Sequence, residues 1–271
     1  MSAEDFNTLL QKSDPDRRLS ALFAPENVRE GLFALYAFNQ EVARIAEATS
    51  ESLIGEMKLT WWRDAVEDLY LATPKVRRHA VPEALAVLTD RIQRDALLGL
   101  VEARFDDVSA RPYADLAEVI AYVDQTAGAL MQMALEVCEA DLPDDWARQG
   151  GRAWGLCGLQ RAFAHRASIG RAPVASDELV SEGGSAAMLA QGLGEDKAAR
   201  LVAPVRAACE GALEAFNALG PIPADAVPAL GYVRLVPAYL KRLPTNPYEM
   251  APEPALLGRQ LRLNWLALTG R

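Results

Sequence analysis

Residues 113–134, YADLAEVIAYVDQTAGALMQMA, place Leu116, Ile120, Val123, Ala127, Leu130 and Ala134 on one face of a 3.6-residue repeat. A half-buried strand would alternate in twos, and this stretch does not. The same spacing returns on both sides of it. Val28, Leu32, Leu35 and Tyr36 make one stripe, extended by Val42 and Ile45; Leu59, Trp62, Val66 and Leu69 make the next. Leu201, Val205, Ala208, Ala212, Phe216 and Leu219 follow, and Leu257, Leu261, Trp265 and Leu268 close the chain. Breaks are expected at Thr73-Pro74, Arg111-Pro112, Leu142-Pro143, Gly183-Gly184 and Gly220-Pro221. Between residues 170 and 195 only short helices and loop are expected. The pattern predicts an all-α bundle of about eight to ten helices with short connections. No repeat and no Pro- or Ser-rich linker divides the chain, so one domain over residues 1–271 is expected.

Composition narrows the function classes. The 271 residues carry 28 Lys and Arg against 37 Asp and Glu, a net charge of −9, which argues against a nucleic-acid partner. The 51% hydrophobic content suffices for a large core. Cys138, Cys157 and Cys209 show no CxxC or metal-ligand spacing and read as free thiols of a reducing compartment. The first residues lack a secretory pattern, and no apolar run is long enough for a transmembrane helix. A soluble intracellular protein is expected, cytoplasmic or peripheral at the inner face of a membrane. The final helix, with Arg259, Arg262 and Arg271 beside Leu and Trp265, reads first as a core helix with a solvated face.

Local motifs for chemistry are scarce. His79 and His165 lack partners at metal-ligand spacing. Gly151, Gly155 and Gly158 fit a small-residue helix face for close packing better than a phosphate loop, which should follow a strand. Asp106-Asp107 and Asp144-Asp145 fall near helix ends, where acids cap or complement the dipole. In Trp61-Trp62 the two rings point about 100° apart, so Trp62 goes to the core and Trp61 to packing, a groove or a partner surface.

An ordered set of segments resembles the squalene/phytoene synthase family. It comprises Leu35-Tyr36-Ala37-Phe38, Leu59-Thr60-Trp61-Trp62-Arg63 with Leu69-Tyr70, and His79-Ala80-Val81 with Ala84-Leu85. Tyr113 to Gly128, Leu261-Arg262-Leu263 and Leu268-Thr269-Gly270-Arg271 complete it. The resemblance implies an isoprenoid synthase-like bundle around a central apolar cavity. It also implies head-to-head condensation of two prenyl diphosphates, with Mg²⁺ held by two aspartate-rich motifs on facing helices.

Those motifs are degenerate. The first, D-D-x-x-D, falls on Ala43, Arg44 and Glu47; the second, N-x-x-R-D-x-x-x-D, falls on Gly158, Arg161, Ala162 and Arg166. Of five carboxylate positions only Glu47 stays acidic, and two carry arginine. Residues 151–171 contain no Asp or Glu, so no local shift restores the second motif. Losing electrostatic stabilisation of a leaving group costs at least ~10²-fold per interaction. No residue is therefore assigned catalysis or metal ligation.

Asp14-Pro15-Asp16-Arg17, Pro25, Arg29, Ala37-Phe38-Asn39-Gln40-Glu41, Glu67-Asp68-Leu69-Tyr70, Ala153-Trp154-Gly155-Leu156 and Leu159-Gln160-Arg161-Ala162 are similar to the family's non-catalytic branch. Its eukaryotic members are mitochondrial complex I assembly factors. The resemblance implies a scaffold without cofactor, partnered by respiratory-complex subunits or assembly intermediates. Two alternatives stand beside it. One is an active prenyltransferase with Mg²⁺, drawing carboxylates such as Asp106, Asp107 or Asp124 into the cavity. The other is a metal-independent module for an isoprenoid or anionic lipid. For it the candidate ligand-binding residues are Tyr36, Gln40, Arg44, Glu47, Arg161, His165 and Arg166, with Arg44, Arg161 and Arg166 facing phosphate. Against that, Arg44 pairs with Glu41 or Glu47 on its own helix, and Arg166 faces solvent.

Overall fold

The computed structural model describes residues 3–49 and 51–270; Arg271, quoted for the resemblance, lies outside the described residues. No strand occurs among the described residues. The chain runs α1 (Ala3–Ser13), α2 (Pro15–Ala21), α3 (Glu26–Ala43), α4 (Ser52–Leu69), α5 (Ala80–Leu85), α6 (Arg94–Glu102), α7 (Phe105–Val108), α8 (Leu116–Val123) and α9 (Ala129–Val137). It continues through α10 (Asp145–Arg161), α11 (Phe163–Ser168), α12 (Ser176–Ser181), α13 (Ala186–Ala190), α14 (Glu195–Ala218), α15 (Val227–Leu230), α16 (Val236–Leu240) and α17 (Leu256–Thr269). Helices α1, α3, α4, α6, α8, α9, α10, α14 and α17 reach eight residues or more, in line with the periodicity. All five expected breaks are non-helical, and residues 170–195 form two short helices and loop.

Local chemistry explains the boundaries. At the start of α8, Asp115 accepts from the Glu118 N–H at 2.8 Å, while Glu118 reaches back to the Ala114 N–H at 2.8 Å. This reciprocal cap satisfies donors that the first helical turn leaves open. Pro15 at the first position of α2 gives up an N–H that would have had no helical partner.

The stripe of residues 116–134 is not one uniform helix. Residues Asp124–Gly128 widen into a π-turn between α8 and α9. There the rod crosses α10 at backbone contact. A Cβ on Gly151 would lie 2.4 Å from the Gly128 Cα, and one on Gly155 would lie 2.5 Å from Val123 Cγ1. Gly151 and Gly155 are thus the close-packing face expected of them, whereas Gly158 has no atom within 4 Å of its Cβ position.

The main core gathers Leu32, Leu35, Tyr36, Leu59, Trp62, Val66, Leu130, Ala134, Leu156, Cys209 and Phe216, all buried. A smaller cluster around Phe163, Leu179, Leu189 and Leu201 covers the α11–α14 end. Cys157 and Cys209 are free and buried, Cys138 is free and half-buried, and burial pushes the Cys138 and Cys157 thiols up to about 12. One stripe is inverted. Leu257, Leu261, Trp265 and Leu268 point away from the protein, and α17 buries Arg259, Leu263 and Leu266 instead. With Leu at 256, 263 and 266 as well, α17 carries two apolar faces, and periodicity cannot choose between them.

Candidate functional site

The two degenerate motifs do face each other. Glu47, just beyond α3, lies 3.5 Å from His165 on α11. Both side chains are about half exposed, so the contact positions more than it stabilises. Beneath it the space between the helices is closed by charge. Asp107 on α7 is buried, with Arg166 at 2.9 Å, Arg104 at 3.2 Å and Arg171 at 3.2 Å. Tyr122 donates to Asp107 at 2.7 Å, and Arg166 donates to the Tyr113 hydroxyl at 2.8 Å. Arg104 also donates to Tyr122 and, across to α3, to Asn39 at 3.3 Å. The Arg171 guanidinium is fully buried 4.5 Å from the ring centroids of both Tyr113 and Tyr122. Its nitrogens meet Asp107 as an ion pair without an aligned hydrogen bond, so the two rings supply much of its environment.

Burial works to raise the Asp107 pKa, but the guanidiniums of Arg166, Arg104 and Arg171 outweigh it and hold the carboxyl below the usual range. This corrects two expectations. The Arg166 side chain is turned inward, only 11% exposed, rather than solvent-facing, and Asp107 is a core ion rather than a helix cap. Asp106 is also held, by Arg111 at 2.8 Å. Asp124 receives both arms of Arg152 at 2.7 Å. The three carboxylates that an alternative metal site would draw on are all engaged by arginines.

Two further polar groups sit on the other side of α10. Arg17 is buried against Asp14 at 2.8 Å, with its guanidinium 5.2 to 5.9 Å from the rings of Tyr232, Trp154 and Tyr36. Tyr36 is fully buried there, its hydroxyl without a hydrogen-bond partner among the described residues, and it lies outside the two grooves described next. Next to it, Asp16 accepts from Arg259 at 2.8 Å and from the Tyr239 hydroxyl. Burial is the largest influence on Asp16 and raises its pKa despite both donors. An open groove of about 650 Å³ borders this group, with Arg18, Trp154, Arg161, Glu253 and Leu256 on its walls. Arg161 stacks 3.9 Å from the Tyr239 ring and lies 3.6 Å from Glu253.

Gln40 and Arg44 belong to a different groove, of about 460 Å³, floored by Trp61, Trp62 and His79. Trp62 is core and Trp61 is a groove wall, 37% exposed. Arg44 is exposed and makes neither of the intrahelical pairs expected of it. Arg44, Arg161 and Arg166 therefore lie in three separate environments, and no single phosphate site unites them. Sequence reasoning missed Arg104, Arg171, Tyr113 and Tyr122 as parts of the closed interface; only the resemblance drew attention to Asp14 through Arg17.

The residues present do not fit the family's Mg²⁺. Ala43 and Ala162 offer no ligand, and Arg166 is committed to Asp107. Among the described residues no group of three His, Cys, Asp or Glu side chains is placed to hold a metal ion.

Comparison with known proteins agrees with this fold. Assembly factor 6 of NADH dehydrogenase (ubiquinone) complex I from Homo sapiens is 31% identical over 162 residues, 59% of this chain and 49% of that protein. The Mus musculus counterpart is 30% identical over 65% of the chain and 53% of its own length. A presqualene diphosphate synthase from Sinorhizobium fredii is 28% identical over 57% of the chain and 56% of its own length. The chain spans about half the length of the curated relatives it matches. Among solved structures, a dehydrosqualene synthase superposes with a TM-score of 0.79 at 16% identity, covering 97% of this chain and 94% of that one. A squalene synthase from Alicyclobacillus acidocaldarius gives 0.66 at 16% identity, over 99% and 94%. The sequence model of squalene/phytoene synthase matches residues 10–267, and with helices, degenerate motifs and superposition in agreement, the chain belongs to the squalene/phytoene synthase family.

Proposed function

We propose that this protein is a non-catalytic member of its family that acts in the assembly of a respiratory complex, complex I, in the cytoplasm at the inner face of the membrane. Its partners in this reading are complex subunits or assembly intermediates, and it needs no Mg²⁺. One observation carries the reading: the position of the last carboxylate of the second motif is Arg166, and that arginine is locked to Asp107 between the motif helices. A synthase needs that space for Mg²⁺ and diphosphate. The names of the curated relatives supply the process. Deleting the gene should lower assembled complex I and leave squalene and carotenoid pools unchanged. Lost isoprenoid products with normal complex I would overturn the reading.

A second reading keeps a ligand. The groove beside Arg161 and Arg18 pairs cations with Leu19, Leu22 and Leu256, which suits an isoprenoid or lipid with an anionic head. Titration with farnesyl and geranylgeranyl diphosphate separates the cases. Binding that needs no metal and weakens with salt supports the ligand, Mg²⁺-dependent binding revives the synthase, and no binding leaves the scaffold alone.

A further inference from the structure

Helix α17 holds its apolar stripe outward and is fixed in that orientation. Leu257, Leu261, Trp265 and Leu268 are 65%, 61%, 64% and 83% exposed. The opposite side is pinned along its length. Arg259 pairs with the buried Asp16 at 2.8 Å, Leu263 and Leu266 pack over Gly231, and the Gly270 carbonyl accepts from the Ile222 N–H at 2.8 Å. Rolling the helix to hide the stripe would strand the Arg259 and Asp16 charges. The exposure is thus a built feature, and large exposed apolar patches mark interaction surfaces.

Charge selects the occupant. The chain carries a net −9, yet residues 254–271 contain Arg259, Arg262 and Arg271 and no acid. Arg259 is used internally, which leaves Arg262 on the exposed helix as a cation flanking the stripe. Two copies docked through this face would oppose like charges, whereas an anionic surface complements them. A tryptophan amid leucines on a helix flanked by arginine matches a helix lying in the plane of a lipid interface. We propose that the outer face of α17 is a membrane-docking surface that inserts Leu257, Leu261, Trp265 and Leu268 into a bilayer containing anionic phospholipid.

The inference names the surface by which the protein would reach the membrane face, but it stands on α17 alone and is tested without complex I. The full chain is sedimented with vesicles of phosphatidylglycerol and phosphatidylcholine in equal parts, and with phosphatidylcholine alone. Binding to the anionic vesicles should exceed binding to the neutral ones and fall as salt is raised. The L261S/W265S double variant should lose at least tenfold in partitioning while its thermal unfolding stays as in the parent. V87S, which alters a 75% exposed valine away from α17, should bind as the parent does. No vesicle binding, or binding equal in parent and double variant, overturns the proposal. A parent dimer without lipid that the double variant breaks would assign the face to a second copy and overturn it equally.

Discussion

Replacing Asp107 with asparagine should be among the most damaging single changes in this protein. The substitution keeps the shape of the side chain and removes its charge. Three guanidiniums within 3.2 Å would then lose the carboxylate they share, and the anion left beside them is Asp106, 3.8 Å from Arg171 and already held by Arg111. Removing one partner of a buried pair costs about 3–5 kcal/mol, and the loss of one carboxylate shared by three cations places this case within that range. For a protein of this size each kcal/mol shifts the melting temperature by about 2–4 °C, so Asp107→Asn should melt roughly 6–20 °C below the parent. Denaturant unfolding followed by circular dichroism at neutral pH reads the difference directly. Arg171→Met should cost less, because it removes a cation and leaves Asp107 paired with Arg104 and Arg166. An Asp107→Asn variant within about 1 kcal/mol of the parent would refute the charge lock.

The same carboxylate fixes a pH dependence. Burial opposes ionisation at Asp107, but the arginines prevail and depress its folded pKa. A depressed folded value means that the stabilisation is fully present above the unfolded pKa of about 3.9 and is lost as pH falls through the folded value. The stability gap between the parent and Asp107→Asn should therefore be widest near neutrality and narrow below pH 4.

Gly151 and Gly158 should respond to alanine with opposite signs. At Gly151 the new Cβ meets the Gly128 backbone at 2.4 Å, so Gly151→Ala should destabilise by about 1–3 kcal/mol. At Gly158 nothing lies within 4 Å, so the usual helix gain of about 0.5–1 kcal/mol should appear; matched melting curves check both, and equal signs would refute the close crossing. Restoring the family carboxylate by Arg166→Asp should lower stability more than Arg166→Met does, because it sets an acid beside Asp107. Mg²⁺ should not rescue it in thermal scans, and a metal-dependent rise in melting temperature would show that the site can be rebuilt by one change.

What the sequence discloses here divides by range along the chain. The stripes through Leu32, Leu59 and Leu130 were legible because neighbours three and four residues apart decide them. So were the breaks at Pro74, Pro112 and Pro143. The charge lock was not, because Asn39, Asp107, Tyr122 and Arg166 come from four separate helices and nothing local joins them. Arg166 illustrates the difficulty: its spacing from Phe163 and Ala167 puts it on the inward face of its short helix, but nothing local shows that Asp107, from another helix, meets it there. The α17 stripe failed for another reason. A helix with leucine on two faces satisfies the same periodicity either way, and the Arg259–Asp16 pair, 243 positions apart, decides which face turns inward.

Arg166, at the position where the resemblance puts a metal ligand, is more than a lost ligand. A metal site needs carboxylates that stay free until an ion arrives, held apart by water or by the ion itself. In this protein the free acids have been taken up: Asp107 by three guanidiniums, Asp106 by Arg111 and Asp124 by Arg152. A carboxylate at position 166 would face Asp107 as a like charge and would lose the bond to Tyr113. At position 166 the ion pair with Asp107 and a metal-binding carboxylate therefore exclude each other. Charge pairing, with Tyr113 and Tyr122 packed around it, ties α3, α7, α8 and α11 together through this chain's own side chains.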